Sequence, residues 1–193
     1  MSSGTTTKIG QLQGDKFDKR LDKATARFFA LTARASLATE AEDRLSAKLG
    51  VTLVSLDELM IEEIKAFSAA NNADWDSILE VDSAGPEGKH WKDVMLLLAR
   101  KASDRVLERL LNMEGTIVVS RAGLLARYGC LDMLGKLRRQ IEEGGADHSL
   151  EGLWLLLPTS SGGGLPKIDG KPVPVLDENE WTHIPSEWIR ASL

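Results

Sequence analysis

Residues 116–158 constrain the fold more than any other part of this chain. Thr116-Ile117-Val118-Val119-Ser120 is apolar and β-branched, and Leu153-Trp154-Leu155-Leu156-Leu157-Pro158 is a second apolar run. Between them Leu124, Tyr128, Leu131, Leu134, Leu137 and Ile141 recur at helical spacing. Short apolar runs without polar alternation are strands buried on both faces. Two such strands flanking a helix make a βαβ unit, and that unit needs a parallel sheet.

Two further runs read as strands: Phe28-Phe29-Ala30-Leu31-Thr32-Ala33 and Val51-Thr52-Leu53-Val54-Ser55. Helical segments separate them. Thr39 followed by Glu42 has the form of a capping box, opening a helix that stops at Gly50. Asp57 is placed to cap the next helix, whose Leu59, Met60, Ile64 and Phe67 lie at helical spacing. A short helix starts at residues 73–76, and the longest runs from His90 to Leu111. Gly129 kinks or divides the crossover helix. Asp169-Gly170 marks the tip of a turn, and Pro172-Val173-Pro174-Val175 is extended, its prolines forbidding a central strand position.

This pattern predicts an α/β fold: a small, mostly parallel sheet of about four strands, with helices on both faces. Residues 1–16 read as a flexible leader and 17–26, with alternating charge, as a short helix. Residues 17–193 read as a single α/β domain, of which 159–193, with Thr159-Ser160-Ser161-Gly162-Gly163-Gly164 as a flexible loop, are an irregular Pro- and Trp-containing tail packing on the body.

A chain of 193 residues with 42% hydrophobic and 27% charged residues has the composition of a soluble globular protein. No apolar run approaches the roughly 18 residues of a membrane span, and the N-terminus has no secretory pattern. With Cys130 as the one cysteine, there is no internal disulfide framework and no multi-cysteine zinc site. A reducing cytoplasm is the expected compartment. The net charge of −5 argues against general nucleic-acid binding. It is unevenly spread, however. Arg121, Arg127, Lys136, Arg138 and Arg139 face one acid, Asp132, whereas the tail from Asp169 carries five acids against Lys171 and Arg190. Either the basic helix presents a binding face, or the acidic tail folds back over it.

The turn Ser120-Arg121-Ala122-Gly123 lies where open α/β sheets bind ligands, beyond the carboxyl end of a strand. A helix N-terminus with an arginine beside it suits an anion, so Ser120, Arg121 and Gly123 are the candidate anion-binding residues, and a phosphate- or nucleotide-binding regulatory or enzymatic α/β domain is the alternative function. Neither a P-loop nor a GxGxxG accompanies any strand, so nothing specifies a nucleotide. His90, His148 and His183 show no metal-ligand spacing, there is no Gly-x-Ser-x-Gly elbow, and Cys130 has no activating partner in sequence. No catalytic residue, metal or cofactor is therefore expected. Arg127, Lys136, Arg138 and Arg139 form a candidate basic face for nucleic acid. Trp181 and Trp188 are candidate interface anchors, with packing inside the chain the favoured alternative.

Several of these motifs occur together in a known module. Ala73-Asp74-Trp75-Asp76, Lys89-His90-Trp91-Lys92, Leu124-Leu125-Ala126-Arg127-Tyr128 and Gly152-Leu153-Trp154-Leu155-Leu156-Leu157-Pro158 are four of them. Leu165-Pro166-x-x-Asp169-Gly170-Lys171-Pro172-Val173-Pro174-Val175 and Glu180-Trp181-x-x-Ile184-Pro185 are the others. Over about residues 28–190 the chain resembles a C-terminal module of bacterial phage-defence proteins of the phage-growth-limitation and BREX type, in their kinase component. The resemblance carries over no catalytic residue, because HRD, DFG and Walker elements are missing from this sequence and kinase chemistry would reside in other domains. It implies a non-enzymatic interaction domain whose partners are other phage-defence proteins, with no membrane. The initiator methionine admits either a separately encoded subunit or a piece of a longer chain.

Overall fold

The computed structural model describes residues 3–144, 148–160 and 164–191. All four expected strands form: β1 (Phe28–Arg34), β2 (Thr52–Ser55), β3 (Gly115–Ser120) and β4 (Leu150–Thr159). Lys167–Ile168 (β5) and Lys171–Pro172 (β6) make a separate antiparallel hairpin. Its tip uses Asp169 (φ 47°) and Gly170 (φ 78°), the left-handed pair that such a two-residue turn requires. A further strand, β7 (Trp181–His183), lies in the segment expected to be irregular. The main sheet has the order β2-β3-β4-β1-β7, and every pairing in it is parallel.

Alternate residues of each strand go to opposite cores, as the period of two demands. Phe28, Ala30, Ile117, Val119, Leu153, Leu155 and Leu157 join one cluster with α3 (Leu56–Ala70), α5 (Leu96–Leu111), α6 (Gly123–Arg127) and α7 (Asp132–Glu143). Phe29, Leu31, Ala33, Val118, Trp154 and Leu156 join another with α1 (Ser3–Lys23), α2 (Ala38–Leu49) and α8 (Ser186–Arg190). Both faces of the sheet are thus covered by helices. That is why residues 117–119 of β3 and 153–157 of β4 are unbroken apolar runs.

Several local expectations change. Residues 3–23 are one helix, so the stretch read as a leader is helical from Ser3 onward; Met1 and Ser2 lie outside the described residues. Its end is held by tertiary contacts: Phe17, Leu21 and Ala24 are buried, and Phe17 meets Trp188 edge-on at 4.8 Å. The Thr39–Glu42 capping box does not form, because a 3₁₀ turn (Ala35–Leu37) runs directly into α2 and Leu37 is the cap. Ser55, not Asp57, caps α3, accepting from Glu58 N–H at 3.2 Å. The long helix starts as a π turn (Trp91–Met95) before α5, and α4 (Trp75–Ala84) is capped by Asp74. Gly129, at φ 70°, divides the crossover helix into α6 and α7. Ser161, Gly162 and Gly163 of the glycine-rich loop lie outside the described residues.

β1 and β4 are adjacent, yet the chain leaves them in opposite directions, from β1 to the β2 edge and from β4 to the β7 edge. Their carboxyl ends therefore bound the switch-point crevice of the sheet. At the other end, β4 approaches the segment before β1 so closely that a Cβ on Gly152 would sit 2.1 Å from the Thr25 carbonyl oxygen. Gly152→Ala should lower the unfolding free energy by about 1–3 kcal/mol, read from urea denaturation, because backbone must move to admit the methyl group.

Candidate functional site

The switch-point crevice holds a cleft of about 350 Å³, lined among others by Thr32, Pro158, Ser160, Lys167 and Asp169. Thr32 is buried, and its hydroxyl shares a 3.2 Å hydrogen bond with His183 Nδ1, on the neighbouring strand. Burial, and then the charge of Arg34, holds the His183 imidazole below its ordinary value. The carboxyl edge of β1, β4 and β7 is thus polar and already internally bonded.

The turn after β3 is organised from within. The parallel register sets Ser55 against Ser120, so the residues following β2 and β3 emerge side by side. Asp57 N–H donates to the Arg121 carbonyl at 2.8 Å, and Leu124 N–H donates to Asp57 Oδ1 at 2.8 Å. Burial raises the Asp57 carboxyl above the usual range, the amides of Leu124 and Gly123 counter that shift, and Asp169 reinforces it. The helix-start amides offered to an external anion by the Ser120-Gly123 motif therefore hold the chain's own carboxylate. Ser120 is buried. Arg121, at φ 53°, lies between Glu42 (3.6 Å) and Glu58 (3.4 Å).

The four cations of the crossover helix do not share one open face. Arg127 binds the Asp82 carboxylate at 3.1 Å and stacks over the Trp91 ring. Lys136 lies 3.3 Å from Asp132 and 3.4 Å from Asp104. Arg138 is 7% exposed and bonded to Glu142, to the Pro174 carbonyl and, at 2.6 Å, to Glu180. Arg139 is exposed. The acidic tail does fold back on the basic helix.

Trp188 is buried, donating Nε1–H to Asp18 at 2.7 Å beneath Arg44 and Lys48. Trp181 is half-buried against the α3/α5/α7 core. Cys130 is buried and its thiol is pushed up, chiefly by burial. Tyr128 donates to Asp82 at 3.1 Å and is pushed up to about 12 by burial and that carboxylate. Among the described residues no three His, Cys, Asp or Glu side chains gather to hold a metal ion, and no helix is long and apolar enough to cross a membrane.

One charged feature escaped the sequence reading. Lys16, Lys19, Arg20, Lys23 and Arg27 line one side of a groove of about 610 Å³, with Asp177, Asn179 and Glu180 opposite. The signal was available in the spacing of Lys16, Lys19, Arg20 and Lys23, which shares one helix face. It was obscured by the interleaved Asp15, Asp18 and Asp22.

The fold and these sites define an α/β module with an all-parallel, five-stranded sheet sandwiched between helices. No family model and no solved structure matches the chain. Over 97% of its length it is similar, at 29% identity, to the probable kinase PglW of Streptomyces coelicolor. PglW is a component of the phage growth limitation system, and the chain is a distant homologue of one part of it. That part is 13% of the relative's length.

Between its lowered folded value and the ordinary 6.5, His183 takes up a proton more readily in the unfolded chain than in the folded one. Stability should therefore fall as pH drops below 6.5, levelling once the folded value is passed. His183→Asn should flatten that part of the profile, read as melting temperature against pH; an identical profile would refute the assignment.

Proposed function

We propose that this chain is a non-enzymatic protein-interaction module of a bacterial anti-phage defence system, assembling with other defence components. The observation that carries this reading is the similarity to a single segment of PglW along nearly the whole of the present chain. The chemistry of the chain supports it. Most of the groups that sequence alone nominates for ligand or nucleic-acid contact are engaged internally: Asp57 fills the helix-start amides, and Arg127, Lys136 and Arg138 are each ion-paired, leaving Arg139 exposed. Cys130 is buried, as a structural thiol is.

The test is capture of the tagged chain, after in-cell crosslinking, from a bacterial host carrying the phage-growth-limitation genes. Mass spectrometry should recover at least one other protein of that system, enriched over a tag-only control. Recovery of none of them would contradict the reading.

A further inference from the structure

We propose that the groove between α1 and the segment preceding β7 docks an acidic, extended segment of a partner protein. This names the chemistry of a partner and so rests on the interaction reading above.

The cationic wall is fixed in place. Lys16, Lys19, Arg20 and Lys23 recur at helical spacing over roughly 10 Å of α1, and Arg27 continues the line toward β1. The stripe cannot turn away, because Phe17 and Leu21 on another side of α1, and Ala24 just after it, are buried. Among the described residues, none of these five cations pairs with a carboxylate. Arg20 reaches only the Glu178 carbonyl. The contrast lies elsewhere on the molecule, where Arg109, Arg121, Arg127, Lys136 and Arg138 all have acidic partners. Nor does α1 neutralise its own stripe with Asp18, which is spent on Lys48 and Trp188. Five like charges gathered without a carboxylate partner in a chain of net charge −5 raise the potential of a concave wall and attract an anion.

The other lining decides which anion. Glu180 is held by Arg138 and Leu176 N–H, and one Asp177 oxygen by Asn179 N–H, so the second Asp177 oxygen and the Asn179 side-chain amide are the acceptors presented, beside Phe29 and Ala24. A polypeptide offers carboxylates to the lysines and main-chain N–H groups to these acceptors. A phosphodiester backbone has acceptors only, and among the described residues no exposed aromatic ring lines the groove to stack a base. The shape also favours an extended chain. A second cavity of about 270 Å³ shares Arg27, Phe29, Asn179 and Glu180 with the first, prolonging the trench toward Ile141 and Glu142. β7 covers only Ala30, Leu31 and Thr32 of the outer edge of β1, so the trench runs where that edge is not paired to a strand.

The probe is a fluorescein-labelled peptide of alternating Glu and Ser, followed by anisotropy against the full chain. A Gln-Ser peptide, a DNA single strand and a DNA duplex of matched length serve as competitors. The Glu peptide should bind, weaken as salt rises, and lose about tenfold or more in affinity in the triple variant Lys16→Glu, Lys19→Glu, Lys23→Glu. Arg139→Glu should leave it unchanged. Melting temperatures of both variants show whether they remain folded; should the triple variant unfold, Lys19→Gln with Lys23→Gln takes its place. No binding of the Glu peptide, equal binding of the Gln peptide, or tighter binding of either DNA through the same lysines would overturn the proposal. Repeating the host capture with the triple variant separates the two readings. Retained defence partners would sink the groove and leave the interaction module standing. Loss of those partners in the triple variant alone would support both. A chain that binds the Glu peptide but captures no defence protein would keep the groove and remove the defence assignment.

Discussion

Arg138 is the one buried charged side chain among the described residues, and the position of the C-terminal third of the molecule depends on it. Its guanidinium reaches Glu142 on its own helix at 2.7 Å, the Pro174 carbonyl at 3.1 Å and Glu180 at 2.6 Å. Glu142 occupies only one side of the guanidinium, and burying the rest unsatisfied would be costly, so the Pro174 carbonyl and Glu180 draw the tail back to α7. The return sets everything that follows it. Glu180 immediately precedes β7, which pairs with β1, and Ile184 N–H then bonds the Thr32 carbonyl. Pro185 leads into α8, whose Trp188 seats on Phe17 and Asp18 and so fixes α1. One ion pair therefore connects the crossover helix to the sheet edge and, through it, to the N-terminal helix.

The same economy of charge separates the two ends of the sheet. At the carboxyl end, Thr32 bonds His183, Asp57 N–H donates to the Arg121 carbonyl, and the turn after β3 is held by the Asp57 carboxylate. On α7 the cations are drawn into pairs with Asp104, Asp132, Glu142 and Glu180. Near the amino end of β1, by contrast, Lys16, Lys19, Lys23 and Arg27 stand against a concave surface without acidic partners among the described residues. The proposed docking groove therefore lies on the flank of the sheet, away from the switch-point crevice where many α/β proteins bind small ligands.

How much of this was legible in the sequence follows from which interactions are local. β1, β3 and β4 were readable because strands buried on both faces carry apolar runs. β2, at the sheet edge, was readable from its short β-branched run, and the αL stop at Gly50 follows from local backbone preference. β7 was not, since Trp181, Thr182 and His183 make a strand only by virtue of the edge that β1 offers them. Asp57 was read as a cap for α3. Its real amide partner, Leu124, is brought near by the β2–β3 register, which no local pattern encodes. The basic helix was visible as a cluster of charge, but only the folded tail shows Arg138 to be inside. The helical reach of α1 back to Ser3, and the direction of its lysine stripe, depend on the burial of Phe17 and Leu21 beneath Trp188.

The claim that the Arg138–Glu180 contact anchors the tail is tested most directly by a double-mutant cycle in urea denaturation, using Arg138→Met, Glu180→Leu and the pair together. The account predicts a favourable coupling of about 1–3 kcal/mol, because Arg138→Met leaves Glu180 without its cation and Glu180→Leu leaves the buried guanidinium with only Glu142 and the Pro174 carbonyl, whereas the double change removes both charges. Additive effects, within about 0.3–0.5 kcal/mol of zero coupling, would contradict it.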